Sequence, residues 1–216
     1  MKITYLGHSC FCIENTAGVK IITDPYTRVG YELPKNLEAD IVTVSHGHFD
    51  HNYTPAIGGA PKILSSEGEC EVCGVKITAT HTWHDPKQGA LRGSNLIFKF
   101  EVDGMSVCHF GDLGEAYSEK IAKILSDSDI WLIPVGGTYT IDAKEAKEYI
   151  DKLAPKAVVP MHYRPQDGAL DITPIGVFLQ KIDQNSVIER PLGEWSVEKG
   201  ELENGKTKVI YMERKK

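Results

Sequence analysis

The chain contains 216 residues, of which 41% are hydrophobic and 25% charged, and its formal net charge is −6 at pH 7. This composition is typical of a protein with a packed core, and the length fits one domain covering residues 1–216. The acidic balance lacks the basic surface with which proteins bind nucleic acid, so we expect no nucleic-acid partner. No apolar run could span a membrane, no signal peptide is recognisable, and five cysteines favour reduced thiols, so we expect a cytoplasmic protein without a membrane partner.

The N-terminal part of the chain is predicted to consist of strands separated by turns. Its β-prone segments are residues 2–6, 10–14, 19–23 and 41–44. The third of these ends at Asp24-Pro25, because proline cannot donate a hydrogen bond to a neighbouring strand. The polar segment 26–40 is predicted to be a loop. Cys10 and Cys12 alternate in the second strand and so share one face, where packing accounts for them.

The rest of the chain is predicted to alternate between strands and helices, starting with a short helix and a loop over 52–60. The predicted strands are 62–64, 75–80, 95–102, 105–110, 129–135 and 157–160, with further β-prone segments at 187–188, 195–197 and 208–212. The predicted helices are 118–125, capped by Ser118; 142–153, with a capping box of Asp142 and Glu145; and 173–182. Asp103-Gly104 is typical of a hairpin turn. This order of elements favours a mixed α/β layered fold.

A dense group of histidines follows the strand at 41–44. Three of the eight histidines and one aspartate lie within six positions, at His46, His48, Asp50 and His51. Imidazole binds zinc and its first-row neighbours, and a carboxylate adds an anionic ligand. The alternative, a polar surface loop with chance histidines, is disfavoured by this density.

Further polar residues follow other predicted strands. They are His84, Asp112 and His162, after the strands at 75–80, 105–110 and 157–160. Strand ends that meet at one edge of a sheet form a natural site. With the histidine loop, these residues could bind two divalent ions about 3.5–4 Å apart that share a carboxylate and a hydroxide.

The ordered set of motifs resembles the metallo-β-lactamase superfamily, whose signature His-x-His-x-Asp-His follows a strand. Here the signature covers residues 46–51. Within the superfamily, the chain is most similar to the metal-dependent hydrolases related to L-ascorbate-6-phosphate lactonase. The other matching stretches lie between residues 6 and 163 and are Leu6-Gly7-His8-Ser9-Cys10-Phe11, Thr23-Asp24-Pro25, His84-Asp85, Leu91-Arg92-Gly93-Ser94-Asn95, His109-Phe110-Gly111-Asp112-Leu113-Gly114, Pro134-Val135-Gly136-Gly137-Thr138-Tyr139-Thr140-Ile141-Asp142 and Pro160-Met161-His162-Tyr163.

The resemblance implies a four-layer αβ/βα sandwich with the metal site at one edge, between the two sheets. It also implies that seven ligands are divided between two ions: His46, His48 and His84; Asp50, His51 and His162; and Asp112 as the bridge. Asp50 is in addition expected to act in catalysis as a proton acceptor. The mixture of nitrogen and oxygen ligands favours zinc and is compatible with manganese or iron.

Five further residues are candidates for contact with a ligand side chain or with the substrate: His8, Asp24, His81, Tyr139 and Arg164. His8 is either a turn histidine bonded to the backbone or a residue lining the metal cleft. We expect Asp24 to orient a ligand histidine. Arg164 could hold a substrate carboxylate or phosphate, or be a solvated charge.

The resemblance leaves some residues open. His81 and His84 both fit the third-histidine position, and the His-Asp pair with the downstream Arg-Gly-x-Asn favours His84. Glu115 stands where similar proteins carry a histidine, and no role is assigned to it. Cys70 and Cys73 form a lone Cys-x-x-Cys, which we interpret as two surface thiols.

These residues predict a metal-dependent hydrolase that opens a small ester, lactone or phosphoester with a metal-bound hydroxide. The partner would be a small-molecule substrate, and an anionic one is compatible with the site; the oligomeric state is not predicted. Two alternatives remain. One is a metal-dependent binding or sensing module for an anionic metabolite. The other is a di-iron redox protein, which normally needs a flavin domain that a chain of this length cannot carry.

Overall fold

The computed structural model describes residues 1–183, 187–202 and 205–215, and their strands form two large sheets and one small sheet. In chain order the strands are β1 (Lys2–Gly7), β2 (Cys10–Glu14), β3 (Lys20–Thr23), β4 (Leu37–Glu38), β5 (Ile41–Thr43), β6 (Ile57–Gly58), β7 (Lys62–Leu64), β8 (Gly68–Val72), β9 (Val75–Trp83), β10 (Ser94–Val102), β11 (Met105–His109), β12 (Ile130–Pro134), β13 (Ala157–Met161), β14 (Val187–Glu189), β15 (Glu194–Ser196) and β16 (Lys208–Ile210). The helices are α1 (Glu119–Leu125), α2 (Ala143–Leu153) and α3 (Gly176–Leu179), with 3₁₀ turns at Thr54–Ala56 and Lys199–Leu202.

The first sheet has the strand order β15-β1-β2-β3-β5-β7 and is buried on both faces. Successive side chains of a strand point to opposite faces, so one face can pack on each of two cores. Ile3 and Phe11 belong to the main core, whereas Leu6 and Cys10 belong to a smaller second core. Cys12 packs against that same second core, which confirms the predicted shared face.

The second sheet has the strand order β14-β16-β13-β12-β11-β10-β9-β8. The neighbouring strands β11, β12, β13 and β16 run parallel to one another. From β11 to the other edge of the sheet, the pairs β11–β10, β10–β9 and β9–β8 are antiparallel. Every residue of β12 and β13 is buried, as expected for parallel strands covered on both faces. Asp103 and Gly104 have φ of 50° and 74°, as the predicted hairpin turn requires.

The two sheets pack face to face, which confirms the α/β sandwich. His109 and the next residue, Phe110, point to opposite sides of β11. The His109 ring lies 6.3 Å from Phe11 of the first sheet, and the Phe110 ring lies 6.4 Å from Tyr149 of α2. Helix α2 therefore forms an outer layer on the second sheet. Within the described residues, the second core on the outer side of the first sheet is closed by the 26–40 loop and the β4–β6 pair rather than by an α-helix.

Three predicted elements differ clearly in extent from the observed ones, and one observed strand was not predicted. Strand β9 continues to Trp83 because it pairs with β10 up to Ser94. Strand β8 was not predicted, since its residues are largely exposed at the sheet edge and lack an apolar alternation. The helix predicted over 173–182 is reduced to Gly176–Leu179, and three-residue turns replace it at both ends, closed by the Val177 N–H on the Pro174 carbonyl and the Lys181 N–H on the Phe178 carbonyl. The short helix predicted within 52–60 is a single 3₁₀ turn.

The two longer helices begin where the sequence predicts. The Ser118 side chain accepts the N–H of Ile121, and Asp142 forms the predicted capping box with Glu145. The longest described helix, α2, has 11 residues, and none of the described helices has the length and apolar character to cross a membrane. The interpretation of residues 1–216 as one domain stays a prediction.

Candidate metal centre

Imidazole and carboxylate groups from both sheets meet where β1, β5, β9, β11 and β13 end. We call this set the histidine–aspartate cluster; its members are His8, His46, His48, Asp50, His51, His84, Asp112 and His162. The loop 45–51 is attached to the second sheet, because the Ser45 carbonyl accepts the Leu96 N–H at 2.9 Å. A turn closed by the His51 N–H and the His48 carbonyl, 3.0 Å apart, folds the loop over the cluster.

Asp112 lies at the centre of the cluster. Its Oδ2 lies 3.3 Å from Nε2 of His84 and 3.2 Å from Nε2 of His162. The same oxygen lies 3.9 Å from Nε2 of His46, and Oδ1 lies 3.2 Å from Nε2 of His51. One carboxylate therefore contacts histidines from both predicted ligand groups, which is the position required of a bridging ligand.

The first predicted ligand group comes together in space. Nitrogens of His46, His48 and His84 lie within 4.8 Å of one another. The His84 ring is 4.6 Å from the His46 ring and 5.1 Å from the His48 ring, measured between centroids. His84 is buried, whereas His48 is exposed on the loop. Three imidazoles thus surround one point that is open to solvent on the His48 side.

The second predicted group gains a member that the sequence left undecided. Ligand atoms of Asp50, His51 and His162 lie within 4.8 Å of one another and of a His8 nitrogen. His8 Nε2 is 3.2 Å from Asp50 Oδ2, and the His8 ring centroid is 4.3 Å from that of His162. The structure therefore places the His8 ring in the cluster, bonded to a side chain rather than to the backbone.

His8 reaches the cluster through a β-bulge between β1 and β2. The register shifts between Tyr5 and Gly7, and φ is 115° at Gly7 and 53° at His8. A Cβ at Gly7 would lie 2.7 Å from the Tyr26 hydroxyl, so only glycine fits here without displacement. The His8 carbonyl then accepts the His162 N–H at 3.0 Å, which joins the two sheets beside the cluster.

Asp24 supports the cluster from below and is fully buried. Its Oδ2 accepts a hydrogen bond from Nδ1 of His51 at 2.8 Å, and its Oδ1 accepts the Ser45 N–H at 2.8 Å. The Ser45 hydroxyl donates to Asp24 at 2.5 Å and lies 2.9 Å from Nδ1 of His46. With Nδ1 of His51 fixed in this way, Nε2 faces Asp112, which is the orienting geometry expected of Asp24.

Asn95, which the sequence analysis used only as the last residue of the Arg-Gly-x-Asn motif, is a supporting residue of the cluster. Its Oδ1 accepts the Asp112 N–H at 2.8 Å. Its Nδ2 donates to the Thr82 hydroxyl and to the Phe110 carbonyl, each at 2.9 Å. One buried amide thus ties β9, β10 and the segment after β11 together under Asp112. The signal available in the sequence was an asparagine at the start of an apolar strand.

Several polar atoms of the cluster are buried without a hydrogen bond to any described residue. They are Nε2 of His46, Nε2 of His51, Nδ1 of His84, Oδ1 of Asp112 and both ring nitrogens of His162. Buried polar atoms are almost always paired, so this concentration indicates a bound partner. Because imidazole nitrogens and carboxylate oxygens are the usual ligands of zinc and similar ions, the residues fit a metal centre.

The electrostatics of the cluster favour neutral imidazoles at three positions, His8, His46 and His84. Burial lowers the pKa of His46 well below its ordinary value and lowers the pKa of His84. Burial, reinforced by His162, lowers the pKa of His8 to about 4. Neutral imidazole is the form that binds a metal ion, so these histidines do not need to lose a proton at neutral pH.

The pKa values of His51 and Asp112 are shifted in the direction that favours their charged forms. Burial opposes charge on His51, but the Asp112 and Asp24 carboxylates raise the pKa of His51 well above its ordinary value. Burial likewise opposes ionisation of Asp112, but His162 and His51 hold the pKa of Asp112 well below its ordinary value. The central carboxylate is therefore ionised and can bind a cation.

The remaining candidates lie around the cluster. His81 packs edge-on against Trp83, with centroids 4.4 Å apart, and lines a cleft beside His46, so the structure puts His84 rather than His81 in the cluster. Tyr139 is 37% exposed. Arg164 is exposed and lines a different, small cavity next to His8.

His109 and the two cysteines Cys70 and Cys73 lie outside the cluster. His109 is a buried strand residue whose Nε2 donates to the Ser9 carbonyl at 2.8 Å and whose Nδ1 accepts the Gly111 N–H at 3.2 Å. Cys70 and Cys73 are exposed free thiols on the β8–β9 hairpin, as predicted.

Glu115 contacts the chain next to His84. Its carboxylate accepts the Trp83 N–H at 2.8 Å, and the adjacent Gly114 N–H donates to the Trp83 carbonyl at 2.9 Å. The Glu115 carbonyl accepts the Tyr149 hydroxyl of α2 at 3.0 Å. Glu115 therefore connects helix α2 to the residue that precedes His84.

Comparison with known proteins places this geometry among metal-dependent hydrolases. A family described as beta-lactamase superfamily domain matches residues 2–162. A relative named UPF0173 metal-dependent hydrolase from Methanosarcina barkeri is 31% identical over 198 residues, covering 77% of this chain and 85% of the relative. One of the same name from Carboxydothermus hydrogenoformans is 33% identical over 196 residues, covering 76% of this chain and 84% of the relative.

Solved structures give the same result for the fold. A protein from Thermotoga maritima, described as a candidate zinc-dependent hydrolase of the metallo-β-lactamase superfamily, aligns with a TM-score of 0.79 and 35% identity over 98% of this chain and 99% of its own. A metallo hydrolase from Ignicoccus hospitalis aligns with a TM-score of 0.67 and 24% identity, covering 100% of this chain and 96% of its own, and supports the fold alone.

Proposed function

Because the chain belongs to the metallo-β-lactamase superfamily of metal-dependent hydrolases, we propose that it hydrolyses a small ester, lactone or phosphoester at the histidine–aspartate cluster. The observation that carries this proposal is the group of buried ring nitrogens and a carboxylate oxygen, at and around Asp112, that have no hydrogen-bond partner among the described residues. Buried polar atoms are almost always paired, so these atoms fit a bound metal ion. His48 is exposed, so the site is open on one side, as a catalytic metal site that admits water or substrate requires.

We propose two bound divalent ions, with zinc as the first candidate and manganese or iron as the others. His46, His48 and His84 would hold one ion, Asp50, His51 and His162 the other, and Asp112 would bridge. The His8 nitrogen is placed to join the second group. Divalent ions held in this way supply a lowered pKa for bound water and polarisation of a carbonyl or phosphoryl oxygen.

The protein's own residues would then position and accept a proton. Asp50 is the proposed proton acceptor, because 13% of its side chain is exposed, compared with 2% for Asp112. His8 holds one Asp50 oxygen at 3.2 Å, which fixes the carboxylate. Burial opposes ionisation of Asp50, but His8 and His51 lower its pKa well below the ordinary value, so it begins the reaction as a base.

The five free cysteines support the proposed cytoplasmic location, and the formal net charge of −6 supports a small molecule rather than a nucleic acid as the partner.

The test starts from metal content. Purified protein would be analysed for zinc, manganese and iron, stripped with a chelator, and reloaded with each ion in turn. Each form would be assayed with p-nitrophenyl esters, bis-p-nitrophenyl phosphate and sugar lactones. We expect two ions per chain, loss of turnover after stripping and recovery after reloading. At a free ion concentration of about 100 times the Kd, each bound ion should also stabilise the fold by about 2.7 kcal/mol. The stripped protein should therefore have a lower Tm than the loaded protein.

Two outcomes would replace the proposal. Bound metal with no turnover of any substrate would favour the metal-dependent binding or sensing module. An iron-rich preparation with redox-active absorption bands would favour the di-iron redox protein.

A further inference from the structure

A cleft of about 490 Å³ opens beside the histidine–aspartate cluster. His46 and His48 form its inner wall, and His81, Ser65, Ser66 and Arg92 line the rest. This volume is within the range of small-molecule sites, roughly 300–1,000 Å³. A substrate whose reacting bond lies at the cluster would therefore extend past Arg92.

The Arg92 guanidinium is held in place by neutral groups only. It donates to the Thr138 carbonyl at 2.9 Å, and its central carbon lies 5.5 Å from the centroid of the Tyr139 ring. Among the described residues, no carboxylate oxygen lies within 4.0 Å of it, and Glu67, which also lines the cleft, is not paired with it. A guanidinium has five N–H donors, so most of its hydrogen-bonding capacity is free of described partners.

The backbone of Arg92 is fixed as firmly as its side chain. The buried carboxylate of Asp85 accepts the N–H groups of Lys87, Gly89, Leu91 and Arg92 at 2.8 to 3.2 Å. The loop is closed around that carboxylate, so the arginine position does not depend on a substrate. Pre-organised groups of this kind lose little entropy on binding.

Arg92 lines the same cleft as His46 and His48, so an anionic group on a substrate bound there can reach the guanidinium. Structural arginines are usually paired, and arginine recognises carboxylate and phosphate groups with parallel hydrogen bonds. We propose that Arg92 binds an anionic group, carboxylate or phosphate, carried by the substrate. This inference rests on the proposed function, because it places the reacting bond at the cluster.

The test uses matched substrate pairs and matched variants. The first pair is p-nitrophenyl valerate, whose acyl chain ends in a methyl group, and mono-p-nitrophenyl glutarate, whose acyl chain ends in a carboxylate. The second pair is gluconolactone with and without a phosphate on its primary hydroxyl. The variants are Arg92→Met, Arg92→Lys and Lys87→Met, the last on the same loop but outside the cleft lining.

We expect wild-type protein to favour the charged member of at least one pair, and the pair concerned identifies carboxylate or phosphate. In Arg92→Met the charged-to-neutral ratio of kcat/KM should fall by about 10–100-fold, mainly through KM, since one charge-assisted contact is lost. Arg92→Lys should recover part of the ratio, and Lys87→Met should leave it unchanged. An unchanged ratio in Arg92→Met for both pairs would overturn the inference.

A second measurement separates this inference from the proposed function. Binding of glutarate and of inorganic phosphate to metal-loaded protein would be measured by calorimetry in wild type and in Arg92→Met, after Tm has verified folding. If wild type turns over no substrate, the hydrolase proposal fails. Anion binding that Arg92→Met weakens still supports the arginine site, and equal binding by both proteins, or binding by neither, contradicts it.

Discussion

At the scale of single residues, Asp50 differs from Asp112, the other carboxylate of the cluster, in its exposure and its contacts. It is bonded to His8 and is partly accessible, whereas Asp112 is enclosed by four histidines. Replacing it therefore removes a base without opening the core. In Asp50→Asn we expect kcat to fall by about 10²–10⁴-fold, the usual contribution of a general base, while the Tm of the metal-stripped protein changes little. Rate assays on the metal-loaded protein, with metal analysis in parallel, check this.

The matched control for Asp50 is Asp127→Asn, in the exposed turn after α1, for which we expect no change in rate. If Asp50→Asn kept both its full metal content and its full rate, the assignment of Asp50 as the proton acceptor would be wrong.

Glu115 is expected to act through its neighbour rather than on the substrate. Its carboxylate holds the Trp83 N–H and so fixes the chain that enters His84. Glu115→Ala should weaken metal binding by about 10–100-fold, the usual effect of losing a group that orients a ligand. Glu115→Gln keeps a carbonyl acceptor and should restore affinity. Chelator competition would measure both Kd values, and equal Kd values in the two variants would show that Glu115 does not position His84.

At the scale of elements, the cluster depends on close approach between the ends of neighbouring strands. Gly136 follows β12, and a Cβ placed on it would lie 2.0 Å from the carbonyl oxygen of His162 after β13. Gly136→Ala must therefore push these segments apart. We expect the free energy of unfolding to fall by about 1–3 kcal/mol and metal binding through His162 to weaken. Urea unfolding and metal analysis measure the two effects.

The control for this element is Gly176→Ala at the start of α3, where an added Cβ meets nothing within 4 Å. Alanine is the better helix former, so this variant should be neutral or slightly more stable. Equal stability of the two alanine variants would mean that the β12 and β13 ends can separate freely.

At the scale of the whole molecule, Asp103, in the β10–β11 turn of the second sheet, binds residues at the edge of the first sheet through hydrogen bonds and an ion pair. Asp103 in the β10–β11 turn accepts the Thr16 N–H at 2.9 Å and its hydroxyl at 2.8 Å, and lies 3.0 Å from the Met1 ammonium. Burial opposes ionisation, but Thr16 and the ammonium lower the pKa of Asp103 below its ordinary value. A lowered folded-state pKa stabilises the fold above the unfolded-state pKa, about 3.9, and this contribution is lost as the pH falls through the folded-state pKa.

The prediction is that Asp103→Asn is less stable than wild type at neutral pH and that the difference shrinks on acidification. Asparagine-glycine suits the same turn, so the backbone effect is small. Urea unfolding midpoints at several pH values between about 7 and about 3 would measure the difference. Asp127→Asn, which also has a positive φ, is the control. A difference that did not change with pH would exclude an electrostatic origin.

The sequence by itself determined the positions of most strands and the residue types that gather in the cluster. Alternating apolar residues locate the strands, and the spacing in 46–51 allows one loop to contribute to both groups of the cluster, because a short turn can direct imidazoles to different sides. The capping residues of α1 and α2, Ser118 and Asp142, were also predictable, since their hydrogen bonds are local.

The tertiary structure decided which residues from distant segments enter the site. His8 belongs to the cluster because a bulge and the bond from the His162 N–H bring two sheets together. Arg92 lines the cleft because Asp85 closes its loop, whereas Arg164, the arginine that the sequence suggested, lines another cavity. Spacing along a chain fixes the direction of a side chain within its own strand. The distance between side chains on different strands depends on sheet packing and on bonds between residues far apart in sequence, and these do not appear in any local pattern.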